Sequence, residues 1–107
     1  MPLYHKLVRD AIPTIIDQNG KKATFRTLDE NEFLVEAKKK LHEELAEYEE
    51  ATTDAEAVEE LADLLELIQV LAKTHGVTVK ELEAVRAKKQ QQRGGFEERL
   101  YLIEVED

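Results

Sequence analysis

Carboxylates in two short segments are the residues of this sequence best suited to chemistry. The segment HEELAEYEE holds five glutamates in nine positions, and a later segment places Glu60 three residues before Asp63. On a helix, where successive residues turn by roughly 100°, Glu44 and Glu47 lie along one flank of an apolar stripe. Glu43 then lies on the far side. An acidic helix usually exposes such residues to solvent, so the first segment alone is a weak indication of a site.

The helix that would carry Glu60 and Asp63 is apolar on nearly all sides, which predicts that it is buried. One of its faces is formed by Val58, Leu61, Leu65, Ile68 and Ala72, and the opposite side by Leu64, Leu67, Val70 and Leu71. Glu60 and Asp63 share the second of these sides. A buried ionised carboxylate costs several kcal/mol unless it is paired, protonated or bound to a metal. A lysine of the segment 38–40 or an N-terminal arginine would serve as a partner, but a metal is the interpretation we favour.

Antiparallel packing of the two helices through their short connection would place Glu44 and Glu47 opposite Glu60 and Asp63. Four carboxylates around one cavity are hard oxygen donors, which suit Mg²⁺ and, as an alternative, Mn²⁺. The chain has no cysteine and only three scattered histidines, so the sequence does not favour zinc.

The overall charge of the chain limits the partners that it can bind. Its 24 acidic and 15 basic residues give a formal net charge of -9, which opposes binding to a nucleic acid polymer. No segment has the length and apolar character of a signal peptide or a membrane span, so we expect a cytoplasmic protein without a membrane partner. We expect residues 1–107 to form one domain, whose core a second subunit would complete.

Periodicity and turn residues define the elements that must position the carboxylates. They predict four helices, over residues 10–18, 30–51, 55–74 and 79–92. Asp10, Asp29 and Thr78 are the predicted N-caps of the first, second and fourth helices, and Gly76 is the predicted stop of the third. The segment 22–28 and the tail ERLYLIEVE have the alternation of strands, which predicts a small two-stranded ribbon.

The paired acidic motifs resemble the EExxE and ExxD signature of the MazG-like all-α nucleoside triphosphate pyrophosphohydrolases. The opening YHKLVRDAIPTII and the closing KKQQQRGGFEERLYL resemble a branch of small single-domain members labelled phosphoribosyl-ATP pyrophosphohydrolase-like. Ala11 stands where that branch would have lysine, and the connection between the acidic motifs is short, so the choice of substrate stays open. The resemblance implies a mainly α fold, a helical bundle completed by formation of a homodimer or homotetramer.

The resemblance also implies roles for individual residues. Mg²⁺ would be bound by Glu44, Glu47, Glu60 and Asp63. The catalytic residues would be Glu44 and Glu43, the latter as an outer ligand or a base that orients water. The implied reaction converts a noncanonical, modified or deoxy nucleoside triphosphate to the monophosphate and pyrophosphate, with phosphoribosyl-ATP as the alternative substrate. A noncatalytic helical interaction module is the rival from another class.

Basic residues near the two ends of the chain are candidates for contacts with the substrate. The candidates in or beside these basic segments are Lys6, Arg9, Asp10, Lys88, Lys89 and Arg93. Glycines beside the last three would let backbone N–H groups approach an anion. Alternatively, Gly94 terminates a helix whose dipole the lysines balance, and Arg9 and Asp10 tie the N-terminal arm to the body.

Overall fold

The computed structural model describes residues 2–107 and is mainly helical. Its four helices are α1 (Ile12–Gln18), α2 (Glu30–Glu50), α3 (Asp54–Thr74) and α4 (Val79–Arg93). These bounds confirm the four predicted helices to within two residues at each end. None of the helices in the described part of the chain has the length and apolar character needed to cross a membrane.

The longest helices, α2 and α3, form the hairpin on which the site is built. Only three residues separate them, so the two helices run antiparallel side by side. Within residues 2–107, the buried hydrophobic residues are Ala37 on α2 and Ala72 on α3. α4 packs against α3, while α1 contacts no other helix within residues 2–107.

Side-chain caps fix where three of the helices begin, largely as predicted. The Asp29 carboxylate accepts from the Glu32 backbone N–H at 2.8 Å, and the Glu32 side chain accepts from the Asp29 N–H. Thr78 and Glu81 form the same reciprocal capping box at the start of α4. Each pair satisfies two backbone donors that the first turn of a helix leaves without partners. Gly76, at φ +80°, follows the end of α3, as expected of a left-handed helix stop.

The prediction that Asp10 caps α1 is wrong. The N-cap position is Ala11, which has no side-chain hydrogen bond to the helix. The chain turns once before α1 begins, and the Ile12 N–H donates to the Arg9 carbonyl at 3.1 Å. Asp10 therefore lies inside this turn rather than at its end. Pro13 does occupy the first turn of the helix, where its missing N–H costs nothing.

The predicted β-ribbon is absent from residues 2–107, because neither segment forms a strand. In the tail, Ile103 is 87% exposed, and Phe25 in the earlier segment is also exposed. Alternating side chains record only a preference for the extended backbone, whereas a strand also requires a neighbour for its N–H and C=O groups. An isolated two-stranded ribbon is marginal in water, and these two segments do not pair.

The prediction that α3 is buried on nearly all sides is wrong for the single chain. The side that carries Leu64, Leu67 and Leu71 is half-buried. The other side is open, with exposed fractions of 62% for Val58, 47% for Leu61, 54% for Leu65 and 43% for Ile68. We call these four residues the open apolar face. It is open because α2 and α4 cover only part of the circumference of α3.

Candidate metal centre

Three of the four predicted metal ligands come together in the α2–α3 hairpin. Glu44 and Glu47, one turn apart on α2, meet Glu60 of α3, and each offers an oxygen within 4.8 Å of the others. The grouping follows from the short helix connection, since antiparallel packing places the end of α2 beside the beginning of α3. We call these three residues the acidic cluster.

The acidic cluster contains oxygens that lack partners. Glu44 is 6% exposed, which makes it the one buried charged residue in the described part of the chain. The Glu44 Oε2 and Glu60 Oε2 atoms are buried and accept no hydrogen bond from residues 2–107. A buried acceptor without a donor costs about 1–3 kcal/mol, and more when it is charged. The cluster therefore fits a hard divalent cation, which binds carboxylate oxygens of this kind.

Crowding changes the acidity of the cluster. The pKa of Glu44 is raised to about 7, first by burial and then by the adjoining carboxyl groups of Glu60 and Glu47. The negative charges of Glu47 and Asp63 act in the same direction. For Glu60, the hydrogen bond with Glu44 lowers the pKa, but burial and the neighbouring Glu47 outweigh it, and the net pKa is raised. Without a cation, the cluster thus retains a proton near neutral pH.

Asp63, the fourth predicted ligand, is paired with the N-terminal arm. The Arg9 guanidinium donates from Nη2 to Asp63 Oδ1 at 2.5 Å, across 54 positions of sequence. The pair ties the N-terminal arm to α3. This attachment was the predicted alternative to a substrate contact for Arg9. Asp63 is one turn after Glu60, and its charge influences the pKa of Glu44, so it lies at the edge of the acidic cluster.

Lys40 is a second cation beside the carboxylates. Its Nζ lies 3.6 Å from Glu44 Oε1 and 3.8 Å from Glu43 Oε1. These ion pairs and that of Arg9 agree in part with the alternative to a metal, in which basic side chains compensate the buried carboxylates. Both Lys40 distances exceed a hydrogen bond, however, and Glu44 Oε2 keeps no donor. Glu43 is exposed and is not one of the three residues of the acidic cluster.

A cleft of about 280 Å³ separates the N-terminal arm from α2 beside this lysine. We call it the arm cleft. Its polar lining includes Tyr4, Lys6, Glu36, Lys39, Lys40 and Glu43. Lys6 was a predicted substrate contact, and its Nζ lies 5.7 Å from the centroid of the Tyr4 ring. Tyr4, Lys39 and Lys40 were not among the predicted substrate contacts. The spacing of Lys40 one turn before Glu44 was the available signal.

The other predicted substrate contacts lie apart from these features. Asp10 is exposed in the turn before α1. Lys88, Lys89 and Arg93 are exposed on the last turns of α4, and none of them lines the arm cleft. Gly94 follows with φ +79° and caps α4, so the structure contains the helix stop that was the alternative to phosphate contact. A role of these three basic residues in substrate binding stays a prediction.

Comparison with known families accounts for the arrangement. A family model described as phosphoribosyl-ATP pyrophosphohydrolase matches residues 8–90, which include Arg9, both acidic motifs and most of α4. No curated protein and no solved structure gives a significant match. The family match spans well over half of the chain and contains the complete acidic cluster. The chain therefore belongs to the phosphoribosyl-ATP pyrophosphohydrolase family, a member of the all-α MazG-like superfamily.

Proposed function

We propose that this protein is a Mg²⁺-dependent pyrophosphohydrolase that cleaves a nucleoside triphosphate to the monophosphate and pyrophosphate. Family membership implies a hydrolase of the pyrophosphohydrolase type. The observation that carries the proposal is the acidic cluster, whose buried oxygens Glu44 Oε2 and Glu60 Oε2 lack donors. Three carboxylates that share protons in a small helical protein are costly, and metal-dependent chemistry gives a reason for their presence.

Glu44, Glu47 and Glu60 would hold the cation, with Asp63 available at the edge of the cluster. A bound Mg²⁺ or Mn²⁺ supplies neutralisation of the phosphate oxygens and a lower pKa for bound water. Binding of the cation would favour the ionised form of Glu44, and Asp63 would join the ligands only if it left the Arg9 guanidinium. Glu43, which is exposed and lies beside Lys40, would accept a proton from water at the rim of the site.

The second candidate substrate is phosphoribosyl-ATP. The description of the matching family supports it, whereas the departure at Ala11 from the related opening motif leaves the choice of nucleotide open. The other candidate substrates are noncanonical, modified and deoxy nucleoside triphosphates. Both groups present a triphosphate to the same chemistry, and the net charge of -9 supports a small ligand held through a cation rather than a nucleic acid polymer.

We also propose that a second copy of the chain covers the open apolar face, in a homodimer or homotetramer. Val58, Leu61, Leu65 and Ile68 lie along one side of α3, and each is more than two-fifths exposed. A contiguous apolar strip of this kind is unusual on a monomer and is typical of a subunit interface. Leu45 and Tyr48 on the neighbouring α2 are also exposed.

The test is a screen for pyrophosphate release in Mg²⁺ or Mn²⁺. The panel contains canonical, deaminated, oxidised and deoxy nucleoside triphosphates together with phosphoribosyl-ATP. We expect release from at least one substrate, loss of release in EDTA, and loss in Asp63→Ala. Glu66→Ala, an exposed acid one turn later on α3, is the matched control and should keep activity. Full activity of Asp63→Ala on every substrate would contradict the metal site and support the noncatalytic alternative for the acids.

A further inference from the structure

Lys40 is the residue at which the arm cleft meets the acidic cluster. It lies on α2 one turn before Glu44, and its side chain is only 20% exposed. The same side chain lines the arm cleft and places its Nζ 3.6 Å from Glu44. We propose that Lys40 is a positioning residue that holds the polyphosphate of the substrate between the arm cleft and the acidic cluster. The proposal rests on the proposed function and adds a residue and a subsite to it.

The charges of the arm cleft fit a polyanion. Lys39 is paired with Glu36 at 3.3 Å within α2. Lys6 has no carboxylate partner within residues 2–107 and lies instead over the ring of Tyr4. The charge of Lys6 therefore remains available to phosphate oxygens, whereas the charge of Lys40 is shared with Glu43 and Glu44. An ammonium group is a common phosphate ligand because it offers three donors and a full charge.

The size of the arm cleft indicates which part of a nucleotide would enter it. Its volume is about 280 Å³, at the lower end of the roughly 300–1,000 Å³ of pockets that enclose small ligands. The arm cleft therefore has room for a chain of phosphates. A polyphosphate in it would lie between Lys6 at the arm and Lys40 at the acidic cluster.

The present partners of Lys40 allow this exchange. The ammonium group lies beyond hydrogen-bond distance from both Glu43 and Glu44, so attraction between charges holds it there without a directed bond. Once Glu44 binds a divalent cation, Lys40 loses the nearer of its two partners. Its charge is then satisfied best by the phosphate oxygens that the same cation attracts.

The experiment measures binding of tripolyphosphate to the full chain by isothermal titration calorimetry in Mg²⁺. We expect Lys40→Gln to weaken this binding by roughly tenfold or more, the loss of one charged hydrogen bond. Lys40→Arg should retain most of the affinity, because it keeps the charge. Lys38→Gln is the matched control, since Lys38 is exposed two positions away and does not line the arm cleft. With a substrate from the screen, Lys40→Gln should raise KM more than it lowers kcat.

Two further readouts separate the possible failures. The affinity for Mn²⁺ in the absence of phosphate should be unchanged or tighter in Lys40→Gln, because a competing cation has been removed from Glu44. Tripolyphosphate binding by Lys40→Gln equal to that of Lys38→Gln would overturn the proposal. So would a loss of Mn²⁺ affinity in Lys40→Gln, which would make Lys40 a support of the cluster. If the unmodified protein hydrolyses no nucleotide in the panel, the proposed function fails, and the tripolyphosphate titrations still decide whether Lys40 binds phosphates.

Discussion

The two sides of α3 differ in how many of their side chains find partners within a single chain. On the acidic side, Glu60 meets Glu44 and Glu47 of α2, and Asp63 meets Arg9 of the N-terminal arm. On the other side, residues 2–107 cover the open apolar face only in part. One helix thus carries a side organised within the chain and a side that water still contacts.

The difference follows from the energies of the two kinds of group. An unpaired carboxylate that loses its water costs several kcal/mol at one atom, so the chain must compensate it locally with protons, cations or basic side chains. An exposed apolar surface costs only about 25 cal/mol per Å², spread over many atoms. A folded chain can keep such a surface until a second copy arrives. The predictions below test this contrast, from the largest expected effect to the smallest.

Replacing Glu60 on the acidic side should have the largest effect. Glu60→Gln removes the α3 ligand from the acidic cluster, and we expect pyrophosphate release to fall by roughly a thousandfold, since a catalytic metal supplies several kcal/mol. The measurement is kcat/KM together with Mn²⁺ affinity. Glu59→Gln, at the exposed neighbouring position, is the control. Equal activity of the two variants would show that Glu60 has no part in the reaction.

The pH dependence of stability should report the protons held by the acidic cluster. Because the pKa of Glu44 is raised from an ordinary 4.5 to about 7, the folded state keeps a proton that the unfolded state loses. Stability is therefore fully present below pH 4.5 and is lost as the pH rises to about 7. In EDTA, we expect the free energy of unfolding to fall by on the order of 3 kcal/mol over this pH range. Denaturant unfolding at fixed protein concentration measures it.

Glu44→Gln is the variant that isolates this effect. It cannot ionise, so its free energy of unfolding should change much less between pH 4.5 and 7. Glu49→Gln, an exposed acid on the same helix, should keep the dependence of the unmodified protein. The same slope in all three proteins would show that Glu44 does not hold a proton in the folded state.

A charge on the open apolar face should break the proposed association of subunits. Leu65→Glu places a carboxylate in the middle of the face, and we expect the dissociation constant to rise by roughly a hundredfold, as for a central interface residue. Sedimentation equilibrium over a range of concentrations measures it. Val85→Glu charges an exposed apolar residue of α4 that lies outside the face and should leave association unchanged. If the unmodified protein is a monomer, the proposal that a second copy covers the open apolar face is wrong.

The smallest effect concerns the ion pair at the edge of the acidic side. Arg9→Gln removes the cation that competes for Asp63, so Mn²⁺ should bind about threefold more tightly, in keeping with the modest strength of exposed ion pairs. Arg86→Gln is the control, because Arg86 pairs with Glu83 at the same distance, but on α4. Weaker Mn²⁺ binding in Arg9→Gln would mean that Arg9 supports the metal site instead of competing for it.

The sequence predicts the local features of this molecule well. Asp29 with Glu32 and Thr78 with Glu81 fix helix starts through contacts three residues apart, and such contacts can be seen in the sequence directly. The acidic cluster was also predictable, because one short connection determines which turns of α2 and α3 meet.

The features that the sequence did not predict depend on distant partners. Arg9 and Asp63 are 54 positions apart, and nothing in the spacing selects this pair among the other basic residues. The ribbon failed because an alternating segment cannot show whether its partner strand exists. The open apolar face was read as buried, because an apolar pattern states that a surface avoids water but not which chain covers it.

The three-residue connection between α2 and α3 also bears on how the site forms during folding. Glu44 and Glu60 are only 16 positions apart, so the loop that must close before they meet is short. Contacts of such low contact order form early and fast, in contrast to those that join distant segments. We therefore expect the three cluster carboxylates to meet when the helical hairpin closes, ahead of the long-range docking of Arg9 on Asp63.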